Sequence, residues 1–142
     1  MKLVVNKCYG GFGLSCKAQK LYLSKTGKSC FFYSQTKYKH RDGVEEYIRI
    51  SARKKTTTFS FTLTYTKDYG KIISSLPNDD TFWLDRDSKR DDPFLIEVVE
   101  ELGAAANGDY ASLEIVEIPD GVDWEIEEYD GNEWVAEKHR TW

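Results

Sequence analysis

Strict alternation of apolar and polar residues in TFSFTLTYT, residues 58–66, constrains the fold of this chain more than any other feature of its sequence. Four apolar or aromatic positions alternate there with hydroxyl-bearing ones: Phe59, Phe61, Leu63 and Tyr65 with Ser60, Thr62, Thr64 and Thr66. Because successive side chains of a strand point to opposite faces, one face should be buried and the other wet. The segment therefore predicts one strand of an antiparallel sheet.

Other segments share the apolar or aromatic composition of strands, namely residues 2–6, 30–38, 44–51, 81–85 and 112–119. Near the C-terminus, WEIEEY and EWVAEKH flank Asp130-Gly131, a pair favoured in two-residue hairpin turns. KHRDG, residues 39–43, should turn the chain, and residues 68–80 should form a short helical turn and a loop.

Two helices complete the predicted elements. Ser15 is a suitable N-cap for a helix that runs to about Thr26 and ends at Gly27. A second helix should begin at Asp91 or Asp92, with Pro93 in its first turn; its predicted apolar face and closing pair are Leu95, Val99, Leu102 and Ala106, then Asn107-Gly108. Strands in mixed order with two segregated helices predict an α+β fold with a mostly antiparallel sheet. A chain of 142 residues can bury one ordinary core, so we expect a single domain over residues 1–142.

Charge is strongly polarised along the chain. Residues 1–70 contain 14 Lys and Arg against 4 Asp and Glu, a net of +10, whereas residues 71–142 contain 6 against 20, a net of −14. Such asymmetry is typical of a surface that attracts oppositely charged partners, or of self-association through opposed faces. Alternatively, strands from the two halves interleave and the charges mix in space.

Several classes of function lack support in the sequence. The apolar runs are too short to span a membrane, and the N-terminus has no signal-peptide pattern, so we expect a cytoplasmic protein. The three cysteines form no C-x-x-C pair, which favours reduced thiols and argues against zinc. His40 and His139 could cleave RNA only if the fold paired them, and nothing in their spacing does so. We therefore expect a protein without catalytic activity, metal or cofactor.

The glycine-rich stretch KCYGGFGLSCKA, residues 7–18, follows the first strand and opens a helix. Such a turn can aim backbone N–H groups at an anion, which makes Gly10, Gly11, Gly13 and Ser15 a possible anion loop. The stretch matches neither the Walker A consensus nor the dinucleotide fingerprint. A purely structural turn, with glycines chosen for their backbone freedom, is the alternative.

Aromatic rings close to guanidinium groups mark a second candidate site. Phe82, Trp83, Arg86 and Arg90 lie just ahead of the predicted helix N-terminus at Asp92. A ring can stack on a nucleobase while arginine forks onto phosphate, so we predict a ligand site there. In the alternative reading, the two aromatics alternate between core and surface and the arginines are merely exposed.

Four strings, NKCYGGFGLS, VVEELG, EIPDGVDWEIEEYDG and EWVAEKHRTW, resemble a family of small phage and prophage proteins. The chain is most similar to the first Thoeris anti-defence family, phage proteins that act as sponges for a cyclic ADP-ribose signal of the infected host. The resemblance implies a homo-oligomer in the host cytoplasm that binds a small cyclic nucleotide at subunit contacts and leaves it intact. Nucleic acid and membrane partners are not expected.

The resemblance also assigns roles to particular residues. Phe82 matches the base-stacking phenylalanine of the family, whereas Asp92 and Asp109 stand where the family carries an asparagine and a ligand-contacting arginine. The carboxylates of Asp92 and Asp109 would repel a diphosphate. The guanidinium groups of Arg86 and Arg90 could offset this negative charge.

The acidic hairpin at residues 123–137 supports a different class of function. Its carboxylates include those of Glu125, Glu127, Glu128, Asp130, Glu133 and Glu137. They could form a solvated face, or they could stand in for a phosphate backbone in a direct protein inhibitor of a host defence nuclease, as anti-CRISPR proteins can. Binding by such a charge mimic should weaken steeply with salt, whereas a buried small-ligand pocket should be much less sensitive.

Overall fold

A computed structural model describes residues 1–51, 62–77 and 89–138 of the chain. These ranges contain eight strands, β1 Lys2–Asn6, β2 Phe31–Lys37, β3 Glu46–Ile50, β4 Thr62–Tyr65, β5 Ile72–Ile73, β6 Leu113–Glu117, β7 Trp124–Tyr129 and β8 Asn132–Glu137. The helices are α1 Cys16–Lys25, α2 Lys39–Asp42 and α3 Pro93–Leu102. Every strand pairing is antiparallel, so the predicted α+β class with antiparallel sheets is confirmed.

The chain divides into two compact units. Unit 1 comprises Met1–Tyr22 and Leu84–Trp142, and unit 2 comprises Leu23–Trp83. Unit 1 contains the two-stranded sheet β1-β6, helix α3 and the β7-β8 hairpin, while unit 2 contains a sheet of strand order β4-β2-β3-β5. That the whole chain forms one domain stays a prediction.

Helix α1 begins and ends where the sequence signals lie. The Ser15 hydroxyl accepts a hydrogen bond from the Ala18 amide at 3.1 Å, which satisfies one of the free donors of the first turn. The helix ends at Lys25, and Gly27 then adopts a φ of +78°. The predicted cap and the predicted end near Thr26 are both confirmed.

Helix α3 starts as predicted but ends earlier. The Asp92 carboxylate accepts the Phe94 amide at 2.9 Å, and Pro93 occupies the first turn, where its missing N–H does no harm. The helix ends at Leu102 because Gly103, with a φ of +56°, leaves helical geometry, and Gly103–Ala106 forms a 3-10 turn. The prediction that the helix continues to Asn107 was wrong.

Unit 2 is built around tyrosines. Tyr33, Tyr47 and Tyr65 are buried together, and the rings of Tyr33 and Tyr65 meet edge to face at 5.7 Å. Thr64 is only 4% exposed, so its predicted place on a wet face was wrong. It lies opposite the buried Phe32 of β2, on the face away from Tyr33 and Tyr65, so residues on both faces of the sheet are buried at this point.

Two further predictions fall in or beside unit 2. Ile72–Ile73 pairs with β3 as a short edge strand, and the described residues 68–77 contain no helix, so the predicted helical turn was wrong there; the residues on either side of this strand are irregular, as the predicted loop requires. Phe59 and Phe61, and the strand predicted over residues 81–85, lie outside the described residues.

Candidate binding surface

The glycine-rich loop of unit 1 is packed backbone to backbone against two other loops. A Cβ added to Gly10 would lie 2.6 Å from the carbonyl oxygen of Tyr110, and one added to Gly131 would lie 2.8 Å from the Gly10 nitrogen. Real Cβ atoms do not approach so closely, so glycine is needed at both positions. The loop around Gly10 is thereby held between the segment at Tyr110 and the hairpin turn.

A second glycine pair closes the same arrangement. The Gly108 amide donates to the Gly13 carbonyl at 2.9 Å, and a Cβ on Gly108 would lie 2.9 Å from the Gly13 carbonyl carbon. Ser15 is also engaged within the fold, since its amide donates to Ala106 at 3.0 Å and its hydroxyl to Ala105 at 2.7 Å. Packing thus accounts for Gly10, Gly108 and Gly131 without a ligand, and anion binding by the loop stays a prediction.

Asn6, at the end of β1, ties the three loops together through a fully buried side chain. Its amide nitrogen donates to the carbonyls of Cys8, at 2.9 Å, and Gly131, at 2.7 Å. Its amide oxygen accepts the Ser112 N–H at 2.8 Å. A buried amide with these bonds satisfied fixes the geometry of the backbone around it.

Arg90 and Glu133 form a buried ion pair beside Asn6. The two guanidinium-to-carboxylate distances are 2.5 and 2.8 Å, and the side chains are 14% and 7% exposed. The guanidinium carbon also lies 3.8 Å from the ring centroid of Phe12, within range of a cation–π interaction. An arginine guanidinium is well suited to stacking on a ring and to bidentate pairing with a carboxylate. Arg90 makes both contacts inside the protein, with Phe12 and with Glu133.

This ion pair also covers an edge of β1. The strand pairs with β6 along one edge, while on the other the Val4 amide donates to the Arg90 carbonyl at 2.9 Å. The Asn6 amide donates to the Glu133 carboxylate at 2.8 Å, and the Arg90 guanidinium reaches the Val4 carbonyl at 3.3 Å. These bonds satisfy polar groups that a bare edge would expose to other chains.

The residues predicted to bind a ligand have different positions. Phe82, Trp83 and Arg86 lie outside the described residues. Arg90 is bound to Glu133, as above, and Asp109 lies exposed in the loop after Gly108.

Asp92, the remaining predicted ligand residue, is engaged within the fold. Its carboxylate caps α3 and also accepts the Tyr22 hydroxyl at 2.5 Å. Burial, and then this bond to Asp92, raises the pKa of Tyr22 to about 12. In the described part of the chain, the polar groups of Arg90 and Asp92 therefore serve the fold, and their role toward a ligand stays a prediction.

The β7-β8 hairpin has two unlike faces, set by its antiparallel register. The inner face carries Trp124, Ile126, Glu128, Glu133, Val135 and Glu137, and the outer face carries Glu125, Glu127, Tyr129, Asn132, Trp134 and Ala136. On the outer face Tyr129 is 73% and Trp134 39% exposed, and the Trp134 indole donates to Glu127 at 3.0 Å. The hairpin thus presents aromatic rings and carboxylates side by side.

Neither a metal site nor a histidine pair is present among the described residues. His40 is exposed on α2, and His139 lies outside the described ranges. Within those ranges, no group of three or more His, Cys, Asp or Glu side chains could hold a metal ion, and the three cysteines form no disulfide. None of the described helices is both long and apolar enough to cross a membrane.

Comparisons with protein-family models, curated proteins and solved structures give no match to this chain. The resemblance to the Thoeris anti-defence family therefore stays a prediction, and what supports a function is the geometry of unit 1.

Three exposed tyrosines are part of that geometry and were not among the residues singled out from the sequence. Tyr9, Tyr110 and Tyr129 are 67%, 67% and 73% exposed, and each lies in or beside one of the three loops joined by Gly10 and Gly131. Their sequence contexts, YGG, GDY and YDG, combine an aromatic ring with turn residues. That signal could have marked exposed rings, but only the long-range loop contacts bring the three segments together.

Proposed function

We propose that this chain is a binding protein without catalytic activity that blocks a cationic, nucleic-acid-binding host protein, and that the β7-β8 hairpin is its contact. The proposal depends on the hairpin carboxylates that form no ion pair in the described part of the chain. The one buried carboxylate of the hairpin, that of Glu133, is already paired with Arg90. A defence nuclease of the infected host is the corresponding class of target.

The charge of unit 1 supports this choice. Glu125, Glu128, Asp130 and Glu137 form no ion pair with any basic residue in the described ranges. Unit 1 as a whole contains 9 Lys and Arg against 18 Asp and Glu, a net of −9. Concentrated negative charge raises the rate and strength of association with a cationic cleft.

The structure of the hairpin suits this role. Residues two apart on a strand face are about 6.6 Å apart, so Glu125 and Glu127 place two negative charges at that spacing on the outer face. The Arg90–Glu133 pair holds the hairpin from its inner face. Two negative charges held at this spacing can occupy a groove that normally receives phosphates.

A panel of purified bacterial defence nucleases tests the proposal. Glu125→Gln/Glu127→Gln neutralises the two carboxylates of the outer face, and Glu114→Gln/Glu117→Gln on β6 is the control with the same charge change. Wild type and control should inhibit DNA cleavage by at least one nuclease, and the hairpin variant should need about tenfold more protein, as expected for two lost charge pairs. Direct binding to that nuclease should weaken steeply between 0.05 and about 0.3 M NaCl. Equal inhibition by both variants would contradict the proposal.

Sequestration of a cyclic nucleotide is a second candidate, favoured by the aromatic and guanidinium residues at 82–90. In this candidate, a phage homo-oligomer binds a cyclic ADP-ribose isomer and withholds it from the host effector. Phe82 stacks on the base, and Arg86 offsets the diphosphate charge.

Replacing Phe82 tests the second candidate. Phe82→Ala should weaken binding of a cyclic ADP-ribose isomer by about 1 to 3 kcal/mol, the usual contribution of one aromatic–base stack. Titration calorimetry measures the loss, and Phe94→Ala, at a half-exposed phenylalanine of α3, is the control. Mass spectrometry of ligand released by heat should find it unaltered. A cleaved product, or unchanged affinity in folded Phe82→Ala, would rule this candidate out.

A further inference from the structure

We infer that the loop end of unit 1 is a docking surface for an arginine-rich segment of a protein partner. The tyrosine surface consists of Tyr9, Tyr110 and Tyr129, with Trp134 on the outer face of the hairpin beside it. The inference deepens the proposed function and rests on it, because it names the chemistry by which a cationic partner is recognised.

The rings of this surface are available for contact. The three tyrosines are each about two-thirds or more exposed, at 67%, 67% and 73%, and Trp134 is 39% exposed. Tyrosine and tryptophan are enriched in protein interfaces because they supply a large contact area with few rotatable bonds. Exposed rings on three separate loops of one unit are more than the scattered apolar residues of an ordinary surface.

The loops that carry these rings are held in place before any partner binds. Gly10 is packed against Tyr110, and Gly131 against Gly10, with no room for a Cβ at either glycine. The buried Asn6 side chain bonds both to Cys8, beside Tyr9, and to Gly131, two residues after Tyr129. A preformed site loses less conformational entropy on binding, so weak contacts there add to affinity more efficiently.

Carboxylates alternate with the rings and determine the sign of the partner's charge. Asp130 follows Tyr129, and Glu127 accepts the Trp134 indole N–H. A guanidinium group can stack on a ring face and pair with a neighbouring carboxylate at the same time, which a lysine ammonium does less well. Arginine therefore fits this surface best.

The same charges disfavour an anionic occupant. A nucleic acid could stack on the tyrosines, but its phosphates would meet a unit with a net charge of −9. The occupant is therefore a protein segment that presents several arginines.

Binding of defined peptides tests the inference. Fluorescein-labelled twelve-residue peptides alternate glycine with arginine, lysine or glutamate, and a twelve-nucleotide single strand of DNA is the fourth probe. Anisotropy at 50 mM NaCl should rank arginine above lysine, with no binding of the glutamate peptide or the DNA. Tyr9→Ala/Tyr110→Ala/Tyr129→Ala should weaken arginine-peptide binding at least about tenfold, since each exposed ring contributes about two- to fivefold.

Matched variants separate the contribution of the aromatic rings to binding from the contributions of the hydroxyl groups and of charge. Tyr9→Phe/Tyr110→Phe/Tyr129→Phe keeps the rings and should bind within about twofold of wild type. If the triple alanine variant does not fold, as judged by circular dichroism, Tyr129→Ala alone should still weaken binding measurably.

The outcomes distinguish the inference from the function on which it rests. Undiminished arginine-peptide binding by folded alanine variants, or tight binding of the single-stranded DNA, overturns the inference, even where the nuclease panel finds an inhibited enzyme. Ring-dependent peptide binding supports the inference, and if no nuclease in the panel is inhibited it is the proposed function that fails.

Discussion

The buried carboxylate of Glu133 joins β8 to two other segments of unit 1. It accepts hydrogen bonds from the backbone N–H of Asn6 and from both terminal nitrogens of Arg90, and the Glu133 side chain is 7% exposed. Taking two charges out of water costs several kcal/mol for each ion, so such a pair is stable only when its geometry is good and its remaining polar groups are bonded. Here the amide of Asn6 and the ring of Phe12 supply those additional contacts.

Removing one partner of this pair should therefore strongly destabilise the fold. Glu133→Gln leaves the Arg90 guanidinium buried without its counter-ion and should lower the free energy of unfolding by about 3 to 5 kcal/mol. Glu128→Gln, directly opposite in the hairpin but exposed, is the control and should change it by less than about 0.5 kcal/mol. Urea denaturation monitored by tryptophan fluorescence measures both. Equal effects would show that the pair is not what holds the hairpin.

Tyr22 gives the fold a distinct dependence on alkaline pH. Its folded pKa of about 12 lies above the usual 10, so the bond to Asp92 stabilises the fold fully below pH 10 and is lost as pH rises through 12. Tyr22→Phe removes this bond and should cost about 1 kcal/mol at neutral pH. The stability difference from wild type should shrink between pH 10 and 12 in urea titrations. Two results would contradict this account. One is a stability difference between wild type and Tyr22→Phe that stays constant to pH 12, and the other is the same pH dependence in Tyr129→Phe, the control at an exposed tyrosine.

At the scale of elements, the position of the β7-β8 hairpin depends on a glycine for two separate reasons. Gly131 adopts a φ of +89°, and its Cα faces the backbone of the glycine-rich loop with no space for a Cβ. The positive φ is required by the Asp130-Gly131 turn itself. The lack of space for a Cβ arises because the turn packs against Gly10, and the Asn6 side chain also bonds the turn to the end of β1.

A pair of glycine variants separates these two requirements. Gly121 has a similar φ of +80° but open space around it, so Gly121→Ala should cost only the backbone strain, about 1 to 2 kcal/mol. Gly131→Ala should add about 1 to 3 kcal/mol of overpacking against the Gly10 and Gly11 backbone. Thermal unfolding followed by circular dichroism compares them. If the two variants lose the same stability, the loops are not interlocked as described.

Local signals in the sequence predicted the elements better than their associations. Asp130-Gly131 and Asp92-Pro93 determine a turn and a helix start through neighbouring backbone groups, and both are confirmed. By contrast, Arg90 meets Glu133 across 43 residues, and Asn6 meets Gly131 across 125. No short pattern encodes such pairings. Arg90 was accordingly predicted to face a ligand, whereas its guanidinium is paired inside the protein.

At the scale of the whole molecule, the charge asymmetry persists between the two units. Unit 1 has a net charge of −9, and unit 2, with 11 Lys and Arg against 6 Asp and Glu, has a net of +5. The two halves of the sequence are not the two units, because β1 pairs with β6 and brings the N-terminal strand into the acidic unit. Some mixing of charge does occur, but each unit keeps one dominant sign.

Opposite charge on two units of one chain predicts association that depends on salt. The acidic unit of one copy should attract the basic unit of another, and the attraction should weaken as the Debye length falls from about 30 Å at 0.01 M to about 8 Å at 0.15 M salt. Sedimentation velocity should therefore find species above the 16.4 kDa monomer at 0.01 M NaCl and mostly monomer at 0.15 M. The Glu125→Gln/Glu127→Gln variant should associate less than wild type at low salt. Monomer at both concentrations would contradict the electrostatic prediction, whereas an oligomer that persists at 0.15 M would favour the homo-oligomer that the Thoeris resemblance implies.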